Sequence, residues 1–137
     1  MSSPDASSAR YVIRPSPAFT STQGSRYAPA VSAESVGAHA LFMGEITLAA
    51  GQRTKAHLHR HETAHRMQSG EAVELWTGAR LEHCDLVRPG DYLFIPAGMP
   101  HVAVNRSDTA AVFIGARNEP KTQESVTLLP QLDALVP

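Results

Sequence analysis

The sequence predicts an all-β barrel, and three observations support this fold class. Short apolar runs are interrupted by Gly, Pro, Asn or Asp about every ten residues, which is typical of β-sandwiches and barrels. β-branched and aromatic residues concentrate in these runs, where they favour strands. The chain also has ten prolines, which fit poorly into helices, and no segment shows a long amphipathic helical period with caps.

The candidate strands can be followed along the chain. They are RYVIR (10–14), AHALFMGEITL (38–48), EAVELW (71–76), CDLV (84–87), DYLFIP (91–96), HVAVN (101–105), AAVFIGA (110–116) and ESVTLL (124–129). Apolar residues alternate in HVAVN, so Val102 and Val104 should face one side of the strand and His101 the other. The run LLPQLDALV (128–136) predicts a short helical turn near the end.

Composition restricts the class of protein. A length of 137 residues suits one domain, which we place at 10–137, after a flexible lead-in at 1–9. A net charge of −1 with 18% charged residues disfavours binding to nucleic acid or to a membrane surface. The first residues lack the features of a signal peptide, and Cys84, the single cysteine, cannot form an intrachain disulfide. These features predict a cytoplasmic protein.

A cluster of histidines is the strongest functional signal. Four of the seven histidines lie between His57 and His65. In a strand, a His-x-His pair points both imidazoles to one face, and imidazole nitrogens are common ligands of first-row metal ions. His57 and His59 form such a pair, which predicts a metal site.

Two spaced patterns surround these histidines. The first runs Gly51, five residues, His57, one residue, His59, three residues, Thr63, six residues, Gly70. The second runs Gly90, five residues, Pro96, one residue, Gly98, two residues, His101, three residues, Asn105. Nineteen residues (71–89) separate them. Together, the patterns at 51–70 and 90–105 resemble the two sequence motifs of the cupin superfamily.

The resemblance implies a small jelly-roll-like barrel, the double-stranded β-helix, which is often dimeric. It also implies a metal ion at the bottom of the barrel, held by His57, His59 and His101. The sequence departs from the family pattern at Thr63, where cupins usually carry a metal-binding Glu.

A neighbouring histidine is the expected replacement for that Glu. His61 lies in the turn region between two strands, from which its side chain can swing back to the metal, so we favour it as the fourth ligand. His65 is the second choice and should instead line the cavity above the ion, while Glu62 should face outward. Four neutral imidazoles suit Zn²⁺, Fe²⁺, Ni²⁺ or Cu²⁺ better than Mn²⁺ or Mg²⁺.

The all-histidine motif and the ending NEPKTQESVTLLP resemble, within the superfamily, the small single-domain bacterial cupins that include the resistomycin-type aromatic polyketide cyclases. This resemblance implies a zinc ion held by four histidines beneath an apolar pocket. We expect that pocket to be formed by Phe42, Leu48, Met67, Trp76, Phe94, Ile95, Met99 and Phe113. The polar run HRMQSG (65–70) is unusual for such cupins and is expected to reshape the pocket or weaken its strand.

Three functions remain open at the level of sequence. A zinc-dependent cyclase would stabilise the enolate of a polyketide-like substrate. The proton acceptor would be a histidine with a pKa near neutral, for which His65 is the candidate, or a metal-bound hydroxide. A histidine-ligated iron(II) dioxygenase is the first alternative, and a non-catalytic module that binds a metal or small molecule is the second. We further expect a homodimer with its contact near Arg10 to Arg14, since RYVIR would otherwise leave an exposed strand edge.

Overall fold

The computed structural model describes residues 11–137, which form a β-structure with two short helical segments. The strands are β1 (Phe19–Thr20), β2 (Arg26–Val31), β3 (Phe42–Leu48), β4 (His57–Leu58), β5 (Thr63–Ser69), β6 (Val73–Thr77), β7 (His83–Val87), β8 (Tyr92–Ile95), β9 (His101–Val104), β10 (Ala111–Arg117) and β11 (Thr127–Leu128). A short α-helix, α1 (Ala33–Val36), follows β2, and a 3₁₀-helix spans Pro130–Leu135, where the sequence predicted a helical turn.

The strands form two antiparallel sheets that enclose a barrel. One sheet has the order β1-β2-β3-β10-β5-β8, and the other has the order β11-β4-β9-β6-β7. Strands distant in sequence are neighbours in both sheets, as β10 is between β3 and β5. This arrangement is a jelly roll closed into a small barrel, so the predicted fold class is confirmed.

The barrel has an inner core, and a second apolar cluster lies on its outside. Alternate residues of β3 and β10, such as Ile46 and Phe113, point into the barrel and are buried there. Val102 and Val104 of β9 instead pack on the outer cluster beneath the 3₁₀-helix, where they meet Leu132. His101 occupies the opposite face of β9, as the alternation in HVAVN predicted.

The first predicted strand is wrong in the described residues. Residues 11–14 are not in a strand, and the side chains of Tyr11 and Val12 are exposed. Arg10 and the predicted lead-in at 1–9 lie outside the described residues. The strand that pairs with β3 on this side of the sheet is β2, and β1 lies outside it. The sequence did not predict β2 because Pro29 interrupts its apolar run. The ladder between β2 and β3 accommodates this proline through a shift in register between Pro29 and Val31.

The polar run HRMQSG does not interrupt β5. Alternation along the strand buries Met67 completely and places Arg66 and Gln68 on the outer face, where they hydrogen-bond to each other. Arg66 also lies 5.9 Å from the ring centroid of Tyr92 on the neighbouring strand. Of the polar residues at 65, 66 and 68, only His65 reaches the interior. β5 remains continuous from Thr63 to Ser69, but its pairing with β10 skips Gln68, where the register shifts.

Candidate metal centre

Three histidines predicted as ligands converge inside the barrel. His57 lies on β4 directly opposite His101 on β9, and His59 follows the end of β4. One ring nitrogen from each of the three residues lies within 4.8 Å of the others, and all three side chains are buried. The ring centroids of His57 and His101 are 4.1 Å apart. The structure therefore brings together residues that are far apart in sequence.

Each of these histidines has its ring oriented by a backbone carbonyl. The acceptors are the carbonyl oxygens of Lys55 for His57 (2.6 Å), Ser125 for His59 (2.5 Å) and Met99 for His101 (2.9 Å). Because a carbonyl can only accept, Nδ1 carries the proton in all three rings. The Nε2 lone pairs are then free to bind a metal, which is the usual arrangement for histidine ligands.

Burial keeps these imidazoles neutral at physiological pH. Desolvation, with a smaller contribution from His59, lowers the pKa of His57 to about 4. Burial also lowers the pKa values of His59 and His101. Neutral imidazole is the form that coordinates metals. Three buried, neutral and pre-oriented nitrogen donors fit a divalent first-row ion such as Zn²⁺.

The lowered pKa values predict that the metal-free protein loses stability in acid. The pKa values of His57 and His65 are about 4 in the folded protein, compared with about 6.5 in an unfolded chain. The unfolded chain therefore binds more protons below pH ~6.5, and the free energy of unfolding should fall from that pH to pH ~4 by a few kcal/mol. Urea denaturation at pH 7 and pH 4.5 measures this change, and equal stability at both values would contradict it.

His61 is buried beside the three histidines, but both its nitrogens face oxygen acceptors. Its ring stacks on that of His59, with centroids 4.6 Å apart and an interplanar angle of 18°. Nε2 lies 2.9 Å from Oε2 of Glu124, and Nδ1 lies 3.1 Å from the carbonyl oxygen of Glu62. To bind an ion at the three-histidine site, His61 would have to leave Glu124. The Glu62 side chain is exposed, as predicted.

Glu124 is a buried site residue that sequence reasoning missed. Its carboxylate receives hydrogen bonds from His61 and from Nε2 of Gln23, and it lies 3.4 Å from the guanidinium of Arg117. Burial alone would raise the pKa of Glu124, but the interactions with His61, His59 and Arg117 lower it. The available signal was Arg117, a charge at the end of an apolar strand that requires an anionic partner if it is buried.

The carboxylate of Glu124 lies behind the metal-binding face of His59. Its Oε2 is 3.8 Å from Nδ1, on the side of the ring opposite Nε2. His59, His61 and Glu124 form a second group whose donor atoms lie within 4.8 Å of one another. However, Nδ1 of His59 already donates to the Ser125 carbonyl, so this second group is better suited to orienting the first than to binding its own ion.

A cavity of about 70 Å³, partly open at its mouth, adjoins the three histidines. Its walls are mostly apolar and include Leu48, Ile95 and Phe113, as predicted. The other predicted wall residues were wrong for this cavity: Phe42, Met67, Trp76, Phe94 and Met99. Strand alternation explains two of these errors, because Leu75 and Leu93 face inward and their neighbours Trp76 and Phe94 therefore face outward.

His65 lines this cavity, as the sequence predicted. Its ring lies close to Gly115 on β10, where an added Cβ would approach Nε2 of His65 to 2.8 Å. Among residues 11–137, no side chain or backbone group hydrogen-bonds to this imidazole. Burial lowers the pKa of His65 to about 4. The structure thus presents a neutral imidazole to the cavity, whereas His39 and His83 are exposed.

Comparison with known families agrees with this geometry. The family described as "Cupin domain" matches residues 44–116, more than half of the chain. The chain therefore belongs to the cupin family. No curated protein sequence is significantly similar to it. None of the helices in residues 11–137 is long and apolar enough to cross a membrane.

Solved structures share the fold at low sequence identity. The polyketide cyclase RemF from Streptomyces resistomycificus superimposes with a TM-score of 0.67 and 19% identity, covering 88% of this chain and 82% of RemF. Oxalate oxidase in complex with the substrate analogue glycolate matches with a TM-score of 0.65 and 19% identity, over 80% of this chain. The chain spans only 57% of the length of that oxidase. Oxalate decarboxylase from Bacillus subtilis matches with a TM-score of 0.67 and 16% identity, over 85% of this chain and 30% of the decarboxylase.

Proposed function

We propose that this cupin is a metal-dependent enzyme that closes a ring in a polyketide-like substrate. The observation that carries the proposal is the convergence of three metal-ready Nε2 atoms on an apolar cavity that also contains a neutral, unbonded imidazole, His65. The structural similarity to RemF, which extends over most of both chains, supports the choice of a cyclase. Polyketides are largely apolar molecules with regularly spaced oxygens, and the cavity offers walls of that character.

The residues of the chain have distinct roles in this proposal. His57, His59 and His101 hold a divalent ion, for which Zn²⁺ suits the donor set best. A bound ion would supply Lewis acidity that stabilises the negative charge of an enolate. His65 accepts the proton from an acidic methylene between two carbonyls. Because burial lowers the pKa of His65 to about 4, this transfer requires that the bound ion increase the acidity of the methylene. The apolar walls exclude water and hold the chain in the folded shape that favours closure.

The test of this function is turnover of a poly-β-ketone by zinc-loaded protein under strictly anaerobic conditions. A cyclase needs no oxygen, so we expect ring closure at the same rate with and without air. Turnover that requires both iron(II) and oxygen would instead support the dioxygenase alternative. Absence of turnover with every candidate metal would support the non-catalytic module. The homodimer is a separate proposal, because residues 11–14 do not form the strand edge from which it was expected. A mass of one chain in light scattering at micromolar concentration would contradict it.

We also propose that His61 contributes the fourth ligand after leaving Glu124, in place of the family's usual glutamate. His61→Ala should then weaken zinc affinity by at least roughly tenfold, because even the loss of a residue that only orients a ligand has effects of that size. Isothermal titration of metal-free protein with zinc measures the change. His83→Ala, an exposed histidine, is the matched control. Zinc affinity equal to that of the wild type would exclude His61 from the site.

A further inference from the structure

Gln23 has an acceptor atom that the protein leaves without a partner. The residue lies in the turn between β1 and β2, is 2% exposed, and lines the same cavity as the three metal-binding histidines. Its Nε2 donates to the hydroxyl of Tyr27 at 3.1 Å and to Oε1 of Glu124 at 2.8 Å, which uses both amide hydrogens. Among residues 11–137, its Oε1 is the buried side-chain atom that lacks a hydrogen bond.

The orientation of this amide is fixed by its neighbours. Turning the amide over would place Oε1 against the carboxylate of Glu124, and two acceptors repel each other. Glu124 is itself anchored by Arg117 and His61, so it cannot easily move aside. Gln23 is therefore locked with a lone pair unsatisfied, and an unsatisfied buried acceptor costs free energy that a suitable ligand can recover.

Gln23 differs in this respect from the other polar groups on its wall of the cavity. The hydroxyl of Thr54 accepts a hydrogen bond from the backbone N–H of Ala103 at 2.9 Å. The hydroxyl of Ser25 lies 3.3 Å from that of Ser21. Both hydroxyls thus have protein partners, and either can rotate to suit a neighbour. The amide oxygen of Gln23 has no protein partner, and the amide cannot rotate without losing the hydrogen bonds of its Nε2.

We propose that Oε1 of Gln23 is a specificity-determining acceptor that binds a hydroxyl group of the substrate. Only a donor satisfies an amide oxygen, so the site selects an enol or phenol O–H and rejects a methyl ether or a carbonyl at that point. The inference rests on the proposed function and narrows its substrate class. A 1,3-dicarbonyl unit enolises to give one O–H and one carbonyl oxygen. Such a unit can place its hydroxyl on Gln23 while another oxygen faces the three histidines.

The inference is tested by binding alone, without turnover. Zinc-loaded wild-type protein is titrated calorimetrically with 1,3-dihydroxynaphthalene and with its monomethyl ether, 3-methoxy-1-naphthol. We expect the wild type to prefer the diol by roughly fivefold to tenfold, the value of one neutral hydrogen bond. Gln23→Met, which keeps the length of the side chain but lacks the acceptor, should bind both probes with nearly equal affinity. Ser25→Ala, on the same wall, should keep the wild-type preference.

Several results would overturn the inference. Equal affinity of the wild type for both probes, or no binding of the diol, would show that a hydroxyl gains nothing from Gln23. A Gln23→Met variant that weakens both probes by the same factor would show a structural role, through the bonds to Tyr27 and Glu124. If Gln23→Met does not fold, Gln23→Asn retains the amide but shortens its reach, and it should lose the preference. The experiment measures binding and not turnover. Its results can therefore be interpreted even if the cyclase proposal fails.

Discussion

Replacing His101 by alanine is expected to reduce bound zinc from about one ion per chain to near zero. His101 supplies one of three converging Nε2 atoms, and its Nδ1 is held by the carbonyl of Met99. Removal of this side chain leaves two of the three converging donors, and with His61 only three of the four that normally close a zinc site. His59→Ala should have the same effect. Metal analysis of protein purified and dialysed against zinc-free buffer measures the occupancy.

The same substitution should remove the stabilisation that the wild type gains from the metal. An ion that binds only the folded state stabilises it by about 4 kcal/mol when the free ion is at a thousand times its Kd. Zinc should therefore raise the melting temperature of the wild type and of His83→Ala, the exposed control, but not that of His101→Ala. A His101→Ala variant that retains one zinc per chain would show that the site has been misplaced.

Replacing His65 by glutamine is expected to lower turnover by roughly 10²-fold to 10⁴-fold, the usual contribution of a general base. Zinc content should stay the same, because His65 lines the cavity and is not among the three converging histidines. Glutamine keeps a polar group of similar size against Gly115 but cannot accept a proton at neutral pH. Steady-state kinetics and metal analysis on one protein sample separate the two effects.

A further variant distinguishes proton transfer from packing. His65→Ala opens space beside Gly115, into which free imidazole can bind. Added imidazole should then restore part of the turnover of His65→Ala, but none of that of His65→Gln, where the space is filled. His39→Ala, an exposed histidine, is the control. Wild-type turnover in His65→Gln would remove this residue from the mechanism.

The sequence was sufficient to predict the parts of the site that strand geometry determines. His57 and His59 were paired because a His-x-His spacing on a strand puts both rings on one face, and the spacing of the second motif added His101. The structure brings these three together on β4 and β9 and on the residue after β4. The barrel itself followed from the density of turn residues and from the resemblance to cupins, and the family match confirms it.

Residues that depend on long-range contacts could not be predicted in this way. Glu124 reaches His61 across 63 positions in the chain, and the run ESVTLL that it begins predicted a strand but not a contact with the histidines. The carbonyl of Ser125, which orients His59, carries no side-chain signal at all. The prediction of wall residues was wrong where it used apolar character without considering that successive residues of a strand face opposite sides. Phe94, which is 58% exposed, is one example. Apolar character alone does not decide which face of a strand a residue occupies.

We propose that one metal ion binds to the Nε2 atoms of His57, His59 and His101. Anomalous diffraction from crystals grown with zinc, with data above and below the zinc absorption edge, tests it most directly. We expect one strong peak at about 2.0–2.1 Å from all three Nε2 atoms, while their Nδ1 atoms keep their carbonyl partners. A peak bound instead by His61 and Glu124, or no peak within reach of the three histidines, would contradict it.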